Sequence, residues 1–332
     1  MGELSNRQRV QGWLPIRLYW RDGQPMIDWC QPAQARFIDP FFDQTVEDCL
    51  SDPFNLLFRQ QTPIEVLGEC SEAIPGIEPT GFIFHMSRCG STLISQMLAA
   101  LPTNIVISEA PPIDAALRAQ QKVAAVTDEQ RIVWLRWFLS ALSQPRTGEQ
   151  KFFVKFDAWH IFELPLIRRA FPNVPWVFVY RDPVEVLVSQ LDHRGAHTIP
   201  GVLSPSSFGI DLDEAWTIQP EEYCARVLAA LCEAALQYHS QGGLLVNYKQ
   251  LPKIVWTEIA EFFGVDLSDA EIAVMQEKTR RHAKNPAVAF ESDSSEKRRK
   301  ASEKVLTVAS AWLDPLYEQL EAARLNQVEA FN

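Results

Sequence analysis

Six consecutive residues, Ser87-Arg88-Cys89-Gly90-Ser91-Thr92, have the composition of an anion site. They follow the apolar run Phe82-Ile83-Phe84 and precede Leu93, Met97, Leu98 and Leu101 at helical spacing, which predicts a strand, a tight loop and a helix. A helix beginning at Ser91 leaves its first backbone N–H groups without intrahelical acceptors. Those donors, with the charge of Arg88 beside them and Gly90 permitting close approach, suit a phosphate or a sulfate. A Walker-type NTP-binding loop places lysine directly after the glycine, where Ser91 stands here, so an ordinary NTPase is disfavoured.

A second cation sits at a comparable place. The apolar run 176–180 predicts a strand buried on both faces, and it ends in Arg181, at the carboxyl edge where open α/β sheets hold their ligands. Asp182, Pro183 and Glu185 read as the N-cap, the first helical residue and a capping-box-like carboxylate of the next helix. Arg181 has no such structural reading. Other groups able to handle a proton fall at strand ends too: Glu109 after 104–108, and Lys155, Asp157 and His160 around the end of 151–157.

The elements that must position these residues follow from hydrophobic period. From residue 78 onward strands and helices alternate, the signature of an α/β fold with a mainly parallel central sheet. Strands are predicted at 80–86, 104–108, 151–157, 175–180 and 243–248. Helices are predicted at about 91–101, 112–125, 128–143, 159–170, 183–193 and 220–240, then at 252–263, 268–281 and 297–325. Residues 1–77 read as an N-terminal appendage. Alternation from 14 to 20, turn residues Arg21-Asp22-Gly23-Gln24 and a return from 26 to 30 predict a β-hairpin. Asp39-Pro40 and Asp52-Pro53 predict the starts of short helices. The second division is 78–332, with a loop at 195–220 too long for an ordinary connection and a mobile loop at 282–296.

Composition narrows the function. The 332 residues suffice for one large α/β domain with an appendage. A net charge of −11, with no basic run beyond Lys297-Arg298-Arg299-Lys300, makes nucleic acid a poor partner. The six cysteines show no CxxC spacing, against a zinc site or a disulfide framework, and no metal-ligand cluster stands out. There is no apolar h-region at the N-terminus and no run of membrane-spanning length, so the expectation is a cytoplasmic protein.

Ser-Arg-Cys-Gly-Ser-Thr-Leu, 87–93, resembles the 5′-phosphosulfate loop of the sulfotransferase family, whose members use 3′-phosphoadenosine 5′-phosphosulfate (PAPS) and share the P-loop NTPase-like, three-layer architecture. In that family an Arg or Lys takes the Arg88 position. An arginine at a later strand end and a serine eight residues on hold the 3′-phosphate, and the matching residues here are Arg181 and Ser189. The resemblance covers roughly residues 80–300 and lies closer to bacterial and tyrosylprotein members than to cytosolic ones. It implies that Arg88, Cys89, Gly90, Ser91 and Thr92 hold the 5′-phosphosulfate.

Other roles are implied in the same way. Glu109 looks like the glutamate that acts as base after the second strand. Cytosolic members carry Lys-Thr-His after the third; Lys155 matches the lysine, Asp157 falls on the histidine, and His160 is three residues late. Lys155 is alternatively a partner for Asp157. Tyr248 is similar to a tyrosine that contacts adenine, and Lys284 (or Lys297) to the lysine that closes over the nucleotide phosphates; the long 195–220 loop is, from its length and composition, the expected acceptor lid. The implied reaction moves a sulfuryl group from PAPS to a hydroxyl or amine of a small-molecule or carrier-bound acceptor, in line, with a carboxylate base and no metal. Two other readings remain at this level. One is a degenerate P-loop kinase or NTPase with Arg88 replacing the lysine and Asp182 holding Mg²⁺; the other is a pseudoenzyme scaffold that only binds nucleotide.

Overall fold

The computed structural model describes residues 5–282, 285–289 and 294–331. Strands β1 (Leu14–Arg21) and β2 (Gln24–Cys30) pair antiparallel, with Leu18 opposite Ile27 and Arg21 opposite Gln24. Asp22 and Gly23 between them take positive φ, 50° and 78°, the conformation that lets a two-residue turn follow strand twist. Strand β3 (Gln60–Pro63) joins the open side of β2. Hydrophobic period does not reveal it, because Gln60-Gln61-Thr62-Pro63 has no aliphatic or aromatic side chain to alternate.

The remaining strands are β4 (Pro79–His85), β5 (Asn104–Ser108), β6 (Lys151–Lys155), β7 (Trp176–Tyr180) and β8 (Gly243–Asn247). They form one five-stranded sheet in the order β5-β6-β4-β7-β8. β5 and β6 run parallel, as do β7 and β8. The fold is the α/β, P-loop-like architecture with an N-terminal hairpin that the sequence implied. Each predicted core strand is present, because strands buried on both faces are written as continuous apolar runs. The chain leaves β4 for β5, returns to β6 and then crosses to β7, so direction reverses at β4. Ligands in open α/β sheets bind at such a switch point, and the 87–92 loop follows β4 directly.

The described residues fall into two compact units, one within 1–82, 95–174 and 273–275, the other within 83–94, 175–272 and 276–332. In the first, Leu18, Ile27 and Trp29 of the hairpin share a buried cluster with Ile64, Leu67 and, from helix Asp128–Leu142, Trp134 and Phe138. Burying each such side chain contributes about 1.5–3 kcal/mol. Trp29 keeps its indole N–H satisfied by donating to Thr62 Oγ1 at 2.9 Å.

In the second unit the C-terminal helix Asp314–Phe331 covers β8, the end strand of the sheet. Gln327 accepts the Leu245 N–H at 3.0 Å and donates to the Gly243 carbonyl at 2.7 Å, so one side-chain amide occupies the ladder edge that another strand would otherwise take. Closer to the strand ends, Glu321 accepts from Tyr180 Oη and from Asn247 Nδ2 (2.8 Å), with Arg324 alongside at 3.0 Å. Burial works against the Glu321 carboxylate, but these donors hold its pKa down at about 2. Tyr180 and Asn247 are the last residues of β7 and β8, so this network fixes the backbone from which Arg181 and Tyr248 depart.

Helix boundaries differ from expectation in particular places. The helix expected at 297–325 is three, Ser294–Lys300, Glu303–Trp312 and Asp314–Phe331. Ser302 caps the second through the Val305 N–H, and Pro315 stands in the first turn of the third, so local capping outweighs a continuous period. The segment expected at 112–125 breaks at Arg118 into Pro111–Leu117 and Ala119–Lys122. Asp52 caps Pro53–Leu57 as expected, whereas Asp39 precedes its helix, Phe42–Ser51, by two further residues and accepts from Thr45 Oγ1 at 2.6 Å. Among the described residues no helix is long and apolar enough to cross a membrane.

Candidate active site

The loop after β4 is built from unusual backbone. Ser87 and Arg88 take φ of 72° and 51°, and Gly90 takes 90°. Left-handed conformation at a non-glycine residue costs roughly 1 kcal/mol or more and persists only where the surroundings fix it. At Gly90 no other residue fits, since a Cβ would stand 2.6 Å from Leu251 Cδ1 and 2.8 Å from Tyr248 Cδ2. The Arg88 guanidinium donates to the His193 carbonyl. Cys89 is fully buried, with its thiol donating to the Val179 carbonyl at 3.0 Å, so its side chain is turned into the core. Ser91 and Thr92 start helix Ser91–Ala99 and are buried.

Arg181 leaves the end of β7 and is only 5% exposed. Its Nε donates to Glu185 Oε2 at 2.6 Å, and its Nη2 donates to Ser294 Oγ at 3.1 Å. The Tyr248 ring lies over the guanidinium, 4.0 Å from centroid to Cζ, a cation–π contact. Arg298 pairs with Asp182 and stands 3.6 Å from Glu185. Arg181, Tyr248, Lys249 and Leu93 line a cavity of about 500 Å³. Ser189 is half-buried one turn beyond Glu185 on helix Pro183–Asp192. Tyr248 thus joins two features that the sequence presents far apart, touching the glycine of the loop and the arginine of β7 at once.

The proton-handling residues form a separate cluster in the first unit. Lys155 is fully buried at the end of β6 and pairs with Glu109 rather than with Asp157, correcting the alternative reading. Strand register is the reason: Ser108 lies opposite Lys155, and the Glu109 N–H donates to the Lys155 carbonyl at 2.8 Å. Glu109 itself takes φ of 53°, another strained non-glycine position. The Lys155 ammonium also faces the Phe41 ring at 5.0 Å.

His160 turns away from this pair. It is 1% exposed on the 3₁₀ helix Ala158–Glu163; its Nδ1 accepts the Asp157 N–H at 3.2 Å, which leaves Nε2 to donate to Asp114 at 2.9 Å. Trp159 donates to the same carboxylate at 2.7 Å. Burial acts against the Asp114 carboxylate, yet the bonds from His160 and Trp159 bring its pKa down to about 2. Asp114, Asp157 and His160 are close enough for a metal to bridge them, but both imidazole nitrogens are engaged as described.

Asp157 shows the opposite shift. Burial, with Glu109 and Asp114 adding repulsion and His160 opposing, pushes its pKa up to about 7. A carboxyl whose folded pKa lies above its unfolded one binds more protons in the folded state, so stability falls as pH rises between about 4 and 7. Asp157→Asn is therefore expected to melt several degrees above the wild type at pH 8 and to match it near pH 4. An equal difference at both pH values would contradict the assignment.

Of the residues singled out in the sequence, the structure brings Arg181 and Tyr248 to one cavity wall, with Gly90 against Tyr248, brings Glu109 to Lys155, and seats His160 on Asp114. Lys284 lies outside the described residues, as does part of 282–296; Arg281–His282 and Asn285–Ala289 pair as two short antiparallel strands. Sequence reasoning missed Asp114, Ser294 and Arg298. It read Glu185 as a capping residue, although its place four residues after Arg181, across the helix start, was a usable signal for an ion pair.

The model of the sulfotransferase family matches residues 79–269, more than half of the chain, and the chain belongs to that family. Solved structures with which it aligns include the sulfotransferase domain of the Synechococcus PCC 7002 olefin synthase, at 16% identity over 71% of this chain and 95% of that one, with a TM-score of 0.41. Sulfotransferase STF9 of Mycobacterium avium aligns at 12% identity over 76% and 81% of the two chains, TM-score 0.44. A sulfotransferase of Alicyclobacillus acidocaldarius aligns at 14% over 74% and 96%, TM-score 0.44. No curated protein matches the chain in sequence. Family membership favours sulfuryl transfer over the kinase and NTPase readings.

Proposed function

We propose that this sulfotransferase takes its sulfuryl group from PAPS and delivers it to a hydroxyl or amine of a small-molecule or carrier-bound acceptor, in the cytoplasm. The observation that carries the reading is the pairing of two anion-binding features through Tyr248: a loop with left-handed turns at a helix start, and a nearly buried arginine at the end of the next strand over. A donor with phosphate at both its 5′ and 3′ positions needs one cationic site for each. In this reading Arg88 and the N–H groups of 89–92 hold the 5′-phosphosulfate, and Arg181, with Ser189, holds the 3′-phosphate. The phosphate takes the place of the Ser294 hydroxyl on Arg181, and Lys284 closes over the nucleotide.

Glu109 acts as general base. It removes the acceptor proton as the acceptor oxygen or nitrogen attacks sulfur, while the bond from sulfur to the bridging phosphate oxygen breaks and PAP (adenosine 3′,5′-bisphosphate) leaves. Lys155 holds the Glu109 carboxylate in place through their ion pair, and His160 is held by Asp114. Arg88 and the loop amides stabilise charge on the departing phosphate, in line with preorganised electrostatic catalysis. PAP release from PAPS in the presence of 4-nitrophenol and a panel of simple carbohydrates tests the reaction. The expected result is acceptor-dependent release that EDTA leaves intact. Release only from ATP with Mg²⁺ would overturn it.

A further inference from the structure

Gln190 lies one residue beyond Ser189, and its side chain is fully buried. Both ends of its amide are used. Nε2 donates to Ser87 Oγ at 2.9 Å, and Oε1 accepts the N–H of Gly195 at 2.9 Å. Nε2 also stands 3.5 Å from Nε2 of His197, itself 3% exposed. The segment is closed tightly on these groups: a Cβ at Gly195 would lie 2.7 Å from His197 Cε1 and 3.4 Å from Gln190 Oε1. The carbonyl of His193, three residues past Gln190, receives Arg88. The two non-glycine left-handed residues of the loop, Ser87 and Arg88, are therefore each tied by a side-chain hydrogen bond to one short stretch of chain, 190–195. Conformations of this cost survive only when neighbours over-determine them, and a buried amide with both ends engaged is such a neighbour.

We propose that Gln190 is a positioning residue for the 87–92 loop: through Ser87 it fixes the turn that aims the loop amides and Arg88 at the 5′ end of the nucleotide, and through Gly195 it couples that turn to the 195–220 segment. The identity of the nucleotide rests on the reading given under Proposed function. The coupling has a consequence specific to the 5′ end. The groups assigned to the 3′-phosphate, Arg181 at the end of β7 and Ser189 on helix Pro183–Asp192, lie outside the 87–92 loop, so loosening the turn weakens ligands in proportion to what they place in the loop.

PAP, which carries 5′- and 3′-phosphates, and 3′-AMP, which carries only the latter, separate these effects by titration calorimetry on the full chain. Gln190→Met, close in shape but without the amide, and Ser87→Ala are each expected to weaken PAP about five- to tenfold, the value of one hydrogen bond. The double variant is expected to be no weaker than the weaker single, since both substitutions remove the same link. Affinity for 3′-AMP stays within twofold throughout. PAP binding within twofold of wild type in both variants, or equal weakening of PAP and 3′-AMP, would overturn the proposal; the second pattern marks a purely structural role. If Gln190→Met does not fold, Ser87→Ala decides alone, because Ser87 is half-buried and loses only a hydroxyl. A wild-type chain that binds neither nucleotide overturns the PAPS reading itself, a result distinct from either pattern above.

Discussion

Arg181→Ala is expected to weaken PAP by about 100-fold or more, because a nearly buried guanidinium gives a phosphate charge-assisted hydrogen bonds worth about 3 kcal/mol or more together. The same substitution leaves Glu185, whose side chain is only 7% exposed, without its nearest cation, though the Ser294 hydroxyl still donates to it at 2.9 Å. Removing one member of a buried ion pair costs about 3 kcal/mol, softened here by Arg298 at 3.6 Å from the same carboxylate. Two contrasts keep binding apart from folding. Arg181→Lys retains the charge and the fold but loses the planar fork, so PAP weakens by about tenfold while the chain stays native. Glu185→Gln removes the competing negative charge while retaining a hydrogen-bond acceptor, and PAP binds at least as tightly as in wild type. Titration of all three with PAP, alongside their melting curves, checks the set. Retention of PAP affinity in folded Arg181→Ala would show that the cavity is not the 3′-phosphate site.

Glu109→Gln is expected to leave PAP affinity within twofold and to lower turnover by about 10²–10⁴, the usual contribution of a positioned general base. Gln preserves an acceptor for Lys155, which is fully buried and would otherwise lose its ionic partner. The loss therefore reports proton transfer rather than collapse of the pair. Single-turnover PAP formation from PAPS with excess acceptor makes the comparison free of product release. A variant that turns over within threefold of wild type would move the base elsewhere, with Asp157 first in line: its pKa near 7 suits proton transfer at neutral pH. A Lys155→Met chain tests the supporting role. Without the ammonium to hold the Glu109 carboxylate in place, turnover is expected to fall while PAP affinity stays within twofold.

What the sequence discloses and what it hides divide along physical lines. The 87–93 loop and the run from Trp176 to Arg181 are local signals, in which strand burial, small turn residues and a helix start lie within a few residues of one another. Both were legible, and so were the five core strands, since a strand enclosed on two faces leaves an uninterrupted apolar run. Pairings between distant segments were not. Lys155 meets Glu109 only because β5 and β6 lie side by side in parallel register, and no single-strand pattern carries that register. Ser294 and Arg298 reach Arg181 and its neighbours from more than a hundred residues away, from a helix whose charge run reads as an ordinary solvated face. Gln190 is a polar residue on a helix, and only tertiary packing makes it buried. The break of the C-terminal helices at Ser302 and Asp314-Pro315 was written locally in capping residues, but the apolar period overrode it in the reading.

The central claim is a nucleotide site that recognises a 3′-phosphate, and thermal unfolding of the wild-type chain with PAP, 5′-AMP and Mg-ATP in parallel tests it most directly. A ligand that binds only the folded state stabilises it by mass action, about 2.7 kcal/mol at a hundredfold excess over Kd. The account predicts that PAP raises the melting temperature by several degrees while 5′-AMP and Mg-ATP at the same concentration raise it far less. An equal rise with 5′-AMP, or a rise with Mg-ATP alone, would contradict it.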